Sequence, residues 1–159
     1  MAYAGKAGTL LSDFVEHLRH NTSLTDAETE LAICQAARSA NADFIWDAHL
    51  RLGESAGVRK VAILAIDTFG SLDNLTGDEA LIIRFGRELL ESERVSDETA
   101  DAVRKRYGEK GLLELTAIMG IYLTNAAILR TMDHQAAENA RHLTPRSHVM
   151  SFGDGSASK

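Results

Sequence analysis

The sequence predicts an all-α fold, a compact bundle of about six to seven helices. Three observations carry that prediction. The only proline is Pro145, so nothing before it breaks a helix. β-branched residues are sparse, and no segment alternates apolar and polar residues for long. Start signals recur, each a Ser or Thr followed by acidic residues in a first turn that favours negative charge.

Taken in order, a short first helix covers about Thr9 to His20. "SLTDAETE" opens the second, with Thr25 as N-cap and Asp26 and Glu28 behind it, and this helix runs to about Ser39. "NADFIWDAHLRLGESAG" forms the third and closes at Gly57, the residue expected in the left-handed position past a helix end. "VRKVAILAI" (58–66) is a further short helix. Thr76 opens a fifth, followed by Asp78 and Glu79. Ser96 opens a sixth, which Gly108 closes. A long segment from about Lys110 to Arg141 comes last. Its first half is apolar almost all round, which predicts a central buried helix, and its second half is polar. The domain is therefore expected to span 1–143. From residue 144 to 159 the pattern dissolves into Gly, Ser and polar residues, the composition of a flexible tail.

Composition bounds the function. The chain's 159 residues suffice for one real core and are too few for two. A formal charge of −6 and the lack of a basic run argue against a nucleic-acid partner. The apolar stretch "AIMGIYLTNAAIL" (117–129) is too short to span a bilayer, so no membrane partner is expected. No charged leader precedes an apolar region at the N-terminus, which points to the cytoplasm. Cys34 is the sole cysteine, which excludes an internal disulfide, a CxxC pair and a multi-cysteine zinc site. Its apolar neighbours predict a buried, inert thiol. His142 and His148 are too far apart and too poorly framed to hold a metal. No metal or cofactor is expected.

Polar residues appear where an all-α core should be apolar. His49 shares a helix face with Trp46 and Leu50, and Glu30 lies on the buried side of the preceding helix, near Cys34. A tight turn near 39–41 joins the two helices, so they pack antiparallel. Glu30 and His49 are nearly equidistant from that turn and can meet. A carboxylate beside an imidazole orients the ring, selects its tautomer and raises its basicity. Such a pair can relay protons, or it can simply satisfy two core polar groups. A second stripe, Glu114, Tyr122 and Asn125, runs along the last helix, where a structural role is the simpler reading.

These residues carry a resemblance. "ETELAICQAARSANADFIWDAHLRLGESAGV" resembles the signature segment of the carboxymuconolactone decarboxylase family, which includes the alkylhydroperoxidase D-like proteins. Glu30 matches its glutamate, Trp46 its tryptophan, His49 its histidine and "SAGV" (55–58) its ending. The second half, including Tyr122, is similar as well, so the resemblance covers roughly residues 10–135. It departs where the peroxidase branch carries two cysteines three apart, since Ala42 and Ile45 stand at those positions. Ile45 also replaces the middle glutamate of the aromatic–Glu–Trp branch.

The resemblance implies a cofactor-free lyase or isomerase acting on a small carboxylated lactone or related enolisable acid. His49 would be the acid or base and Glu30 its orienting partner. Trp46 and Tyr122 would wall the pocket, with Asn125 on the same stripe. Because decarboxylation leaves electrons that need a positive environment, Arg38 and Arg130 are candidates for holding the substrate carboxylate. The resemblance also implies a homo-oligomer, a trimer or hexamer, with "VAILAI" (61–66) at an interface. Two other readings stand beside it: a peroxidase-like antioxidant protein, which the missing CxxC disfavours, and a non-catalytic helical binding module.

Overall fold

Capping sets where the helices begin. In a computed structural model that describes residues 5–149, Thr25 Oγ1 accepts the Glu28 N–H at 3.3 Å while the Glu28 carboxylate accepts the Thr25 N–H at 2.8 Å. This reciprocal box starts α2 (Asp26–Ser39). Thr76 and Glu79 repeat it at the head of α5 (Gly77–Glu91), and Ser96 caps α6 (Asp97–Thr131). The remaining elements are α1 (Gly5–His20), α3 (Asp43–Ala56), α4 (Lys60–Thr68) and the single turn α7 (Arg146–Val149). Among the described residues the fold is all-α, with no strand, as the sequence predicts.

The centre of the bundle is α2. Every residue from Thr29 to Arg38 is buried, because α3, α4, α5 and α6 all pack onto this helix. Its small side chains, Ala32, Cys34, Ala36 and Ala37, let four neighbours approach at once. The central helix expected from the sequence was instead the one after Lys110. That stretch buries Leu115, Ile118, Met119, Tyr122 and Ala126 but leaves Leu113, Gly120 and Ala127 outward, so it covers α2 rather than being enclosed. By length and composition α6 would also suffice to cross a bilayer, although the 117–129 stretch alone would not.

One boundary matches the sequence reading and one differs from it. Gly108, at φ 71° and ψ 178°, interrupts α6 as expected of a helix end, but the chain turns helical again at once. The last helix stops at Thr131, not Arg141, and Asp133 turns left-handed at φ 52°. Beyond this turn the chain becomes a docked strap. The Arg141 N–H donates to Asp47 (3.0 Å), the Leu143 N–H to Asp43 (2.9 Å) and the Thr144 N–H to Asp67 (2.9 Å). Leu143 is buried, and Arg146 reaches Glu91 and the Ser39 carbonyl. The tail expected to be free from residue 144 is thus bonded to the bundle as far as Arg146. Composition misses this because the acceptors lie on α3, α4 and α5. Residues 150–159 of that tail lie outside the described residues.

Gly108 holds a backbone conformation that essentially only glycine adopts. Gly108→Ala should therefore cost on the order of 1–3 kcal/mol in urea or thermal unfolding. Gly120 is helical, exposed and has open space where a Cβ would project. Gly120→Ala should stabilise the protein by about 0.5–1 kcal/mol in the same measurement.

Candidate functional site

The α2–α3 hairpin positions the site. Asn41 takes a left-handed conformation (φ 50°), which asparagine tolerates, and the Ala42 N–H returns to the Ala37 carbonyl at 2.9 Å. The chain reverses and α3 runs back along α2. One turn past His49, Gly53 allows close approach: a Cβ there would lie 3.6 Å from the Glu30 Cβ and 3.3 Å from Val58.

Glu30 and His49 consequently meet across the hairpin, nineteen residues apart, with His49 Nδ1 at 2.7 Å from Glu30 Oε2. Both side chains are almost wholly buried. A carboxylate on Nδ1 favours the tautomer that carries its proton there, leaving Nε2 as the basic nitrogen. The Tyr122 ring meets the imidazole edge-on, with centroids 5.0 Å apart and planes at 88°. Trp46, one turn earlier on α3, is buried on the same face as His49. Burial pushes the Tyr122 phenol far above its ordinary range, so it stays protonated and can donate a hydrogen bond. Glu30, His49, Trp46 and Tyr122 are therefore brought together.

The expected carboxylate-holding arginines lie elsewhere. Arg38 is eight residues past Glu30, about 12 Å along the helix. Its guanidinium is fully buried over the Phe69 ring, 4.9 Å from the centroid, and none of its three nitrogens has a hydrogen-bond partner. Burial lowers its pKa and nearby Asp67 partly opposes that. Arg38 cannot reach a ligand at His49. Arg130 donates to the Ala40 carbonyl at 2.9 Å and lines a cavity of about 250 Å³ with Phe44, His134 and Gln135, a cavity that touches neither Glu30 nor His49. Asn125 is half-buried one turn past Tyr122 and bonds to neither member of the pair.

The cation at the site is one the sequence reading missed. Arg19, in the last turn of α1, places Nη2 at 3.8 Å from Glu30 Oε1. In the sequence it reads only as a basic residue complementing a helix C-terminus, alongside His17 and His20. Nothing in the linear pattern shows that the loop at 21–25 folds α1 back over Glu30.

Glu114 belongs to the scaffold. Its Oε2 accepts the Ser23 hydroxyl at 2.5 Å and the Ser23 N–H at 3.0 Å, clasping α6 to the loop before α2. Burial alone would raise its pKa, but the Ser23 bonds and Lys110 outweigh burial and hold it below the usual carboxylate range. Cys34 lies one turn past Glu30, wholly enclosed, and burial, reinforced by the Glu30 charge, drives its thiol far above the ordinary range. Among the described residues no cluster of His, Cys, Asp and Glu could hold a metal ion.

Comparisons with family models, with curated proteins and with solved structures give no match to this chain. They lend no support to the resemblance drawn from its motifs.

These environments lead to two expected outcomes. A buried thiol held in the neutral form should resist the aromatic disulfide reagent DTNB at pH 8 in the native protein, and unfolding should release one equivalent per chain. Fast native labelling would contradict this. Glu114 has a depressed pKa in the fold, so its contribution is present above the unfolded carboxylate pKa and fades as pH falls through the folded value. Glu114→Gln should cost about 1–3 kcal/mol at neutral pH. The gap from wild type should close in acid, as read by urea titrations across pH.

Proposed function

We propose that the chain is a cofactor-free lyase or isomerase that moves protons on a small carboxylated lactone or related enolisable acid. The observation that carries this reading is the 2.7 Å contact between buried Glu30 and buried His49, with Trp46 and Tyr122 buried beside His49. A carboxylate-backed imidazole in such a place is a competent general base at Nε2 and, once protonated, a general acid. The motif resemblance supports the same chemistry. Work in the cytoplasm and assembly as a trimer or hexamer are part of the proposal. The outward Leu64 and Leu113 are compatible with such contacts.

In an isomerisation, His49 would take a proton from the carbon next to a carbonyl and return it at the far end of the resulting enolate. In a decarboxylation, the bond between ring carbon and carboxylate breaks and carbon dioxide leaves. The electron pair then passes into the conjugated carbonyl, and imidazolium delivers a proton to carbon. Glu30 keeps its hydrogen bond to Nδ1 throughout and holds the ring. A thiol peroxidase reading has little to stand on: Cys34 is alone, enclosed and neutral.

The deciding experiment is turnover of a panel of unsaturated carboxylated lactones, followed by ultraviolet absorbance and carbon dioxide release. His49→Gln should fold and lose roughly a hundredfold or more in kcat, and Glu30→Gln should lose less. Unchanged turnover in both variants would end the catalytic reading. A purely structural pair gives a different pattern. Each single variant then loses about 1–3 kcal/mol of stability, a double apolar replacement recovers most of it, and no lactone is consumed.

A further inference from the structure

We propose that Arg19 receives an anionic oxygen of the ligand at the Glu30–His49 pair, which makes the site selective for acids that keep a carboxylate. This rests on the acid/base reading above. The geometry behind it is specific. Arg19 Nη2 stands 3.8 Å from Glu30 Oε1, close enough for charge attraction and too far for a hydrogen bond. Its Nε is buried and unpartnered, and no side chain or carbonyl among the described residues accepts from any of its N–H groups. A guanidinium carries five donors in a fork that matches a carboxylate. All five are unspent, at the one place where Glu30 and His49 converge.

Glu30 explains why Arg19 is present and still available. Its Oε2 is committed to His49, and its Oε1 attracts the guanidinium without capturing a donor. Leu18, the one buried residue of α1, pins the helix end beside it. The Arg19 side chain keeps 26% of its surface exposed, whereas Arg38 is sealed. A ligand can therefore reach Arg19 and cannot reach Arg38. The Tyr122 ring meets His49 edge-on, which adds a neutral phenol to the same site.

Charge fits as well. With neutral His49, Glu30 and Arg19 sum to zero, and when His49 takes the ligand's proton the trio becomes +1, opposite the anion just formed. The carboxylate held by Arg19 is not one that leaves. An arginine gripping a departing carboxylate would stabilise the ground state more than the transition state and slow the step. The ligand class is thus a small lactone or keto acid whose carboxylate survives the reaction.

Trp46 supplies the readout, since it is the only tryptophan and is buried one turn before His49. The full chain would be titrated with 5-oxotetrahydrofuran-2-carboxylate and with γ-butyrolactone, its neutral counterpart, by tryptophan emission. Wild type should bind the acid saturably and more tightly than the neutral lactone. Arg19→Gln should weaken the acid by about tenfold or more and leave the neutral lactone unaffected, and Arg19→Lys, which keeps the charge without the fork, should fall between. Equal affinity for acid and neutral lactone in wild type would overturn the proposal, as would no binding of the acid or an unchanged acid affinity in Arg19→Lys and Arg19→Gln. The wild-type comparison holds even where a variant fails to fold. If His49→Gln abolishes turnover while Arg19→Gln binds the acid normally, Arg19 loses its role and the acid/base reading stands. Arg19-dependent acid binding with turnover indifferent to His49 leaves the anion site and removes the reading.

Discussion

The bundle depends on enclosing α2 on every side. Burying a ten-residue run that contains Thr29, Glu30, Gln35 and Arg38 is costly unless each polar group finds a partner or a compensating surface. The helices around α2 provide for Glu30 and Arg38, while Thr29 Oγ1 and Gln35 Oε1 have no hydrogen-bond partner among the described residues. His49 comes from α3 to meet Glu30, and Phe69 comes from the end of α4 to cover the guanidinium of Arg38. The small residues that let those helices close in also leave the polar ones little water. The candidate site is therefore part of how the core is satisfied.

Local chemistry made much of this legible in the sequence. Thr25, Thr76 and Ser96 announce their helices because an N-cap and its acidic first turn are interactions within four residues. Gly57 closes α3 at φ 92°, the same kind of short-range constraint. The Glu30–His49 meeting is long-range in sequence, yet a tight hairpin turns it into a counting problem, so spacing sufficed. Neighbours that come from outside the hairpin leave no such mark in the sequence. Arg19 reaches Glu30 only because α1 folds back, and α2 proved more enclosed than the more apolar α6 because α2 has more partners, which hydropathy does not register.

Arg38 shows the same limit from the other direction. One residue type supports opposite expectations: a charged side chain on an apolar helix reads as a ligand-binding group, and a buried cation stacked on an aromatic ring reads as a scaffold element. Two further arginines, Arg87 and Arg146, flank the same Phe69 ring at 5.9 and 5.3 Å from its centroid. This gathering of like charge is tempered by Asp67 and Glu91, which pull Arg38 back toward its charged form.

The strap that crosses this region has an uneven chemistry. Arg141, Leu143 and Thr144 are each held through the backbone N–H, a group every residue but proline possesses, and the acceptors are the side chains of Asp47, Asp43 and Asp67. The backbone part of that contact is therefore written in the aspartates of α3 and α4, and the strap adds side-chain bonds of its own, from Arg141 to Glu54, Thr144 to Asp67 and Arg146 to Glu91. Exchanging any one of those aspartates for an apolar residue strands a backbone donor, whereas replacing Arg141 removes only its side-chain hydrogen bond to Glu54. Half of this contact thus survives any change of letter in the strap short of proline, and half of it does not.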